Sequence, residues 1–246
     1  ITDITTGEIK AMVSYPGYDN NKLANGVDAE YYAALQEDNS NPLYNYATQE
    51  KTAPGSTFKM VTSTAGLAEN VITTGTTINC TGVFHDVSNE PKCWIYPGSH
   101  GAETVSDAIR DSCNVFFYTT GFNLAAKDTG TYDDANGIAY IQKYASIYGL
   151  NQKTGIEIEE NTPEIATEFP VMAAIGQSDN NFTTVSLSRY VTAVASGKLY
   201  NYQLMSRIVD INGNVIESYE PEYTDISDTL NAGQWDAIHS GMRMVV

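Results

Sequence analysis

From residue 57 to 69 the apolar positions Phe58, Val61, Ala65 and Ala68 recur three or four apart, with no Pro and only Gly66 as a weak interruption. That period predicts a helix. Met60, Val61, Ala65 and Leu67 cover much of its circumference, so it should be a buried central helix. Similar runs predict helices near 103–110, 115–126 and 136–148. A helical run also spans 175–197, carried by Val185, Leu187, Tyr190, Val191 and Val194, and a last one spans 231–246, with Trp235, Ile238 and Met242 on one side. Residues 5–16 read as a strand with Gly7 in the preceding turn, and the polar stretch 17–55 reads as irregular. Residues 204–219 alternate around Asn212-Gly213, the signature of a hairpin. Mixed helices and an antiparallel hairpin predict an α+β domain in which helices cover an antiparallel sheet.

Length and charge narrow the possibilities. At 246 residues the chain can bury a sizeable core as one domain. It carries 13 basic against 30 acidic residues, a net charge of −17, and shows no basic patch for nucleic acid. The acidity is the wrong sign for adhesion to anionic lipid and is expected to be a solvated surface. No run of 18 apolar residues spans a membrane, and no leader peptide is visible. No cofactor motif is visible. His85, His100 and His239 are too scattered for metal-ligand spacing, so no metal is expected. Cys80 and Cys93 flank a turn-rich segment, either as a disulfide or as two packed thiols, and Cys113 reads as packing.

Chemistry enters at the start of the 57–69 helix. Ser56-Thr57-Phe58-Lys59 follows the break at Pro54-Gly55 and is the only Ser-x-x-Lys in the chain. Residues i and i+3 share a helix face, which would set Lys59 over the Ser56 oxygen. A serine hydroxyl needs a base to become a nucleophile, and a lysine kept neutral by its surroundings can be one. The plain reading of the same tetrapeptide is a Ser N-cap followed by a solvated Lys. The companion elements of Ser-x-x-Lys enzymes are Ser-x-Asn and Lys-Thr-Gly. Ser178-Asp179-Asn180 and Lys153-Thr154-Gly155 spell them literally but in the wrong order and settings. Ser112-Cys113-Asn114, between two helical runs, is the better second element.

With these residues in place the chain resembles the transpeptidase domain of penicillin-binding proteins, class B, elongation type. The resemblance runs through Thr6–Pro16, Tyr18-Asp19-Asn20-Asn21, Asn45–Gln49, Cys93-Trp94, His100-Gly101, Ser112-Cys113-Asn114, Thr154–Ile158 and Ala174–Asn180, in that order. It implies Ser56 as acyl-accepting nucleophile, Lys59 as its base, Ser112 as proton relay and Asn114 as a substrate ligand. Gly176 and Gln177 are implied to flank the substrate. It implies a peptidoglycan D,D-transpeptidase acting on D-Ala-D-Ala stem peptides and acylated by β-lactams. The family's Lys-Thr-Gly would lie beyond Gly241–Val246, so 1–246 is expected to be a transpeptidase domain incomplete at both ends. The resemblance further implies an N-terminal membrane anchor outside these residues, the extracytoplasmic face of a bacterial membrane, and a glycosyltransferase partner. Two other classes stay open: a serine β-lactamase, with Glu157 and Asn161 as water-activating candidates, and a non-catalytic β-lactam sensor.

Overall fold

A computed structural model describes all of residues 1–246. In chain order its helices are α1 (Ala29–Glu37), α2 (Lys59–Ala68), α3 (Val105–Arg110), α4 (Asn114–Ala126), α5 (Asp134–Ile147), α6 (Pro170–Ala173), α7 (Thr184–Ser196) and α8 (Ala232–Arg243). The strands are β1 (Lys51–Thr52), β2 (Ile78–Cys80), β3 (Gly101–Glu103), β4 (Phe182–Thr183), β5 (Lys198–Tyr200), β6 (Arg207–Val209), β7 (Val215–Ser218) and β8 (Tyr223–Asp225). All pairing is antiparallel: β1 with β4, β2 with β3, β5 with β8 and β6 with β7. The α+β class holds, although the strands form four separate pairs rather than one continuous sheet.

The core is built around α2, which is buried from Val61 through Leu67. Its polar side chains find partners inside, as burial requires. Thr62 donates to Ala174 O at 2.7 Å, and Thr64 Oγ1 lies 2.7 Å from the Tyr148 hydroxyl while also bonding Met60 O. The Tyr190 hydroxyl donates to Thr57 O at 2.8 Å, anchoring the entry of the helix from α7. Phe58 is wholly buried and stacks on Phe182 with ring centroids 6.1 Å apart. Close approach of α4 to α6 depends on Gly121, where a Cβ would lie 2.8 Å from Ala174 and 2.9 Å from Pro170 O.

Several expectations are corrected. Residues 5–16 form no strand beyond an isolated Thr2–Ile9 bridge. Their hydrogen bonds close a tight loop, with Asp3 N donating to Glu8 O and Lys10 N to Ile1 O, and no other strand lies alongside to build a ladder. The stretch 17–55 is not wholly irregular. It holds α1, capped by Asp28, whose carboxylate accepts from Tyr31 N at 3.0 Å. The run 175–197 is helical only from Thr184, because Gly176 and Ser178 take positive φ and Phe182–Thr183 pair as a strand. The hairpin forms between β6 and β7, its turn held by the Asp210 carboxylate on Asn212 N and Asn214 N, with Gly213 at positive φ. The last helix follows its expected span, opened by an Asn231–Gln234 capping box.

Truncating Phe58 removes a fully enclosed ring beneath the Ser56 turn. Phe58→Ala is expected to cost about 3–5 kcal/mol, read as a lowered midpoint in thermal or urea unfolding.

Candidate active site

Two segments distant in sequence meet at the Lys59 amine. Pro54-Gly55 turns the chain into a short 3₁₀ helix, Gly55–Phe58, and α2 begins at Lys59 itself. Ser56 is exposed in that first tight turn, whereas Lys59 is 1% exposed. The Lys59 Nζ donates to Asn114 Oδ1 at 2.7 Å, to Ser112 O at 2.8 Å and to Ser112 Oγ at 3.0 Å. Ser112 Oγ in turn donates to Ser56 Oγ at 2.9 Å. The amine makes no hydrogen bond to Ser56, so the direct Lys59–Ser56 contact expected from helical spacing is replaced by a contact through Ser112. The cause is local: Ser56 and Lys59 belong to two helix types of different pitch.

No carboxylate shares this site. Burial disfavours the ammonium form and pulls the Lys59 pKa from its ordinary value to about 8. The Phe117 ring, 5.4 Å from Nζ, forms part of the apolar wall. An amine near pKa 8 is neutral often enough at physiological pH to accept a proton. The Ser112 backbone sits at φ +52°, a left-handed conformation costly for a residue with a Cβ. Asn114 opens α4, and with its Oδ1 turned to Lys59 its amide N–H groups remain available to a ligand.

The Ser56 turn is set from the other side by Gly176. Gly55 N donates to Gly176 O at 3.0 Å, and a Cβ on Gly176 would fall 2.1 Å from Gly55 O, at φ +73°. Gln177 is exposed beside this contact, its Nε2 3.9 Å from where a Gly55 Cβ would stand. Four of the expected residues, Ser56, Lys59, Ser112 and Asn114, thus form one hydrogen-bonded set, and Gly176 and Gln177 border the turn that carries Ser56.

The literal motif matches lie elsewhere and serve as scaffold. Thr154 N and Oγ1 donate to Glu160, and Lys153 O accepts from Arg189. Asn180 is buried and bonds Ala166 N, Ala173 O and Gln177 O. Glu157 accepts from Leu204 N and Met205 N, and Asn161 bonds Thr48 O and Gln49 O. Neither is placed to activate water beside Ser56.

One constellation escaped the sequence. Cys80, Cys93, His100 and Cys113 bring one ligand-type atom each into a space where all four lie within 4.8 Å of one another. His100 thus lies beside three cysteines rather than apart from every other ligand-type side chain. All three thiols are free and buried, which corrects the disulfide alternative for Cys80 and Cys93. Cys93 Sγ accepts from Asn114 N at 3.3 Å, and the pKa of its thiol is lowered, chiefly by hydrogen bonding from Cys113, whose own is raised. Three sulfurs and an imidazole are a donor set suited to zinc. The sequence spacing shows no metal motif because β2–β3 pairing, Cys80 opposite Gly101, creates the neighbourhood.

The whole chain, residues 1–246, matches the family described as penicillin binding protein transpeptidase domain. It is 30% identical over 278 residues to the peptidoglycan D,D-transpeptidase MrdA of Haemophilus influenzae, covering 100% of this chain and 38% of that protein. A solved chain from a peptidoglycan synthase complex, described as coordinating polymerization and crosslinking, superposes with a TM-score of 0.84 at 29% identity, covering 100% of this chain and 41% of that one. Penicillin-binding protein A of Mycobacterium tuberculosis, solved as an imipenem acyl-enzyme, shares the fold at a TM-score of 0.82 and 21% identity, covering 99% of this chain and 56% of that one. The chain therefore spans about two fifths of the MrdA relative and of the synthase-complex chain.

Gly176→Ala drives a methyl group into Gly55 O at a positive φ. It is expected to cost about 3 kcal/mol and to displace the Ser56 turn, lowering the thermal midpoint by roughly 2–4 °C per kcal/mol. An unchanged midpoint would show that the two turns do not touch as described.

Proposed function

Because the chain belongs to the penicillin-binding protein transpeptidase family, we propose that it carries the acylation half of a peptidoglycan D,D-transpeptidase. The observation behind this reading is the unbroken path Ser56 Oγ–Ser112 Oγ–Lys59 Nζ around an amine held near pKa 8. Ser56 Oγ attacks the carbonyl carbon of the amide joining the two terminal D-Ala residues of a stem peptide. With the Ser112 hydroxyl turned from Ser56 toward the lone pair of the neutral amine, the Ser56 proton passes to Ser112 Oγ while the Ser112 proton passes to Lys59 Nζ. The backbone N–H of Ser56, in the first turn of the 3₁₀ helix, donates to the developing oxyanion. Protonated Lys59 returns a proton through Ser112 to the departing D-Ala amine, leaving an ester on Ser56. Asn114 donates to the backbone carbonyl of the bound peptide, and Gln177 borders the same cleft. An amine from a second stem peptide attacks the ester, and the serine is released with a cross-link formed.

A β-lactam presents to Ser56 an amide carbonyl in a strained ring; attack opens the ring's C–N bond and leaves the drug as an acyl-enzyme. On this reading the enzyme works at the extracytoplasmic face of a bacterial membrane, held there by an N-terminal anchor. Its relative in a complex that coordinates polymerization and crosslinking supports a glycosyltransferase partner.

Ser56→Ala is expected to abolish covalent labelling by a fluorescent penicillin. Labelling that persists would remove Ser56 as nucleophile. In the wild-type chain the labelling rate should rise about tenfold per pH unit below pH 8 and level off above it, since only the neutral amine accepts the proton. A rate flat from pH 6 to pH 9 would exclude Lys59 as the base.

A further inference from the structure

Alongside α4 lies a cavity of about 560 Å³ that the acylation path does not use. Phe122, Tyr132, Phe169 and Met172 line it, and the Phe122 and Tyr132 rings stack with centroids 4.9 Å apart. Asp86 and Asp134 add two exposed carboxylates, and no basic side chain lines the cavity. His85, next in sequence to Asp86, is paired with Glu90, and Lys127, just after α4, is paired with Glu69. The Tyr132 hydroxyl donates to Asp134 Oδ1 at 2.7 Å, which holds that carboxylate beside the stacked rings. Phe169 keeps φ +54°, a left-handed backbone costly for a residue with a Cβ, while its side chain stays about half in solvent. Burial of that ring therefore does not offset the strain. Two carboxylates are too few oxygens to cage a hard metal ion, and an anion would be repelled. Ring faces beside carboxylates suit an organic ammonium, attracted by the ring quadrupoles and by charge.

We propose that this cavity takes a primary ammonium on a flexible aliphatic stem, and that during acylation it seats the diamino-acid side chain of the stem peptide whose D-Ala-D-Ala is attacked by Ser56. The same elements carry both places. Asn114 opens α4 and Phe122 lies eight residues further on, about 12 Å along the axis. Met172 O accepts from Gln177 N at 3.1 Å, so the lining of the cavity leads directly to a residue bordering the Ser56 turn. A peptide with its scissile carbonyl at Ser56 places the Cα of the preceding residue about 5 Å back, and a lysine-length stem reaches about 6 Å beyond that. That reach matches the offset between Asn114 and Phe122. The amine that attacks the ester must stand at Ser56 itself, so the cavity holds the amine of the acylating strand and selects which strand is acylated. The identity of the amine's carrier rests on the proposed function, whereas the preference for an ammonium does not.

The test compares Nα-acetyl-L-Lys-D-Ala-D-Ala with its Nε-acetylated form, which keeps the backbone and loses the charge. Both are titrated by NMR into the protein carrying Ser56→Ala, which cannot be acylated. The free amine should bind about tenfold more tightly and shift the Tyr132 and Phe169 ring signals. Asp134→Asn and Asp86→Asn should each cut that preference to about threefold or less. Asp86→Asn covers the case in which loss of the Asp134 charge, in the first turn of α5, disturbs the helix. Nα-acetyl-L-lysine methylamide, which has no D-Ala, is titrated separately, and penicillin labelling is followed in the wild-type chain. If this shorter probe shifts the two rings while penicillin labels nothing, the amine pocket stands and the acylation reading falls. Penicillin labelling together with equal affinity for the two peptides would overturn the pocket alone. So would a preference that survives both substitutions, or ring signals that none of the three probes moves.

Discussion

Everything at this site follows from one interaction: a lysine amine buried with no carboxylate beside it. An ammonium in that position would normally be costly, and a carboxylate would relieve the cost. The fold supplies neutral oxygens instead, two from Ser112 and one from Asn114. Neutral acceptors satisfy the amine's hydrogens without locking in its charge, so its pKa remains low enough for proton exchange. An aspartate at position 114 would hold the amine as a permanent cation. The side chains around Lys59 are therefore constrained in charge as well as in shape.

That constraint reaches into the scaffold. Lys59 is the first residue of α2, so the helix must be buried to desolvate it, and its threonines must find partners in the residues just after α5 and just after α6. The stack of Phe58 on Phe182 and the Tyr190 bond to Thr57 O hold the same end from the other side. The Gly55–Gly176 backbone contact then aims Ser56 outward while its neighbour Lys59 points in.

Much of this was legible in the chain. The 3.6-residue period of 57–69 declared α2, the break at Pro54-Gly55 marked its start, and Ser112 and Asn114 could be chosen over the literal Ser178-Asp179-Asn180 by order and setting. What was not legible is mostly long-range. Residues 5–16 alternate like a strand, but a strand is made by a neighbour, and none lies alongside. Helix α1 buries only Leu35, so its apolar signal is faint. The relay through Ser112 arises because the serine and lysine sit on either side of a change from 3₁₀ to α geometry, which a spacing rule does not carry. The cysteine–histidine cluster arises from pairing between β2 and β3, and no local pattern announces it.

The contacts that complete the Ser56 site join residues far apart: Lys59 to Asn114 across 55 positions, and Gly55 to Gly176 across more than twice that span. Closing such loops carries an entropy cost that only the finished core offsets. The Ser56 site is therefore a late product of folding. A newly made or partly unfolded chain exposes an ordinary alcohol, with a solvated, protonated lysine three residues away. The Ser56–Ser112–Lys59 arrangement arrives together with the native packing, so an immature chain carries its parts without their geometry.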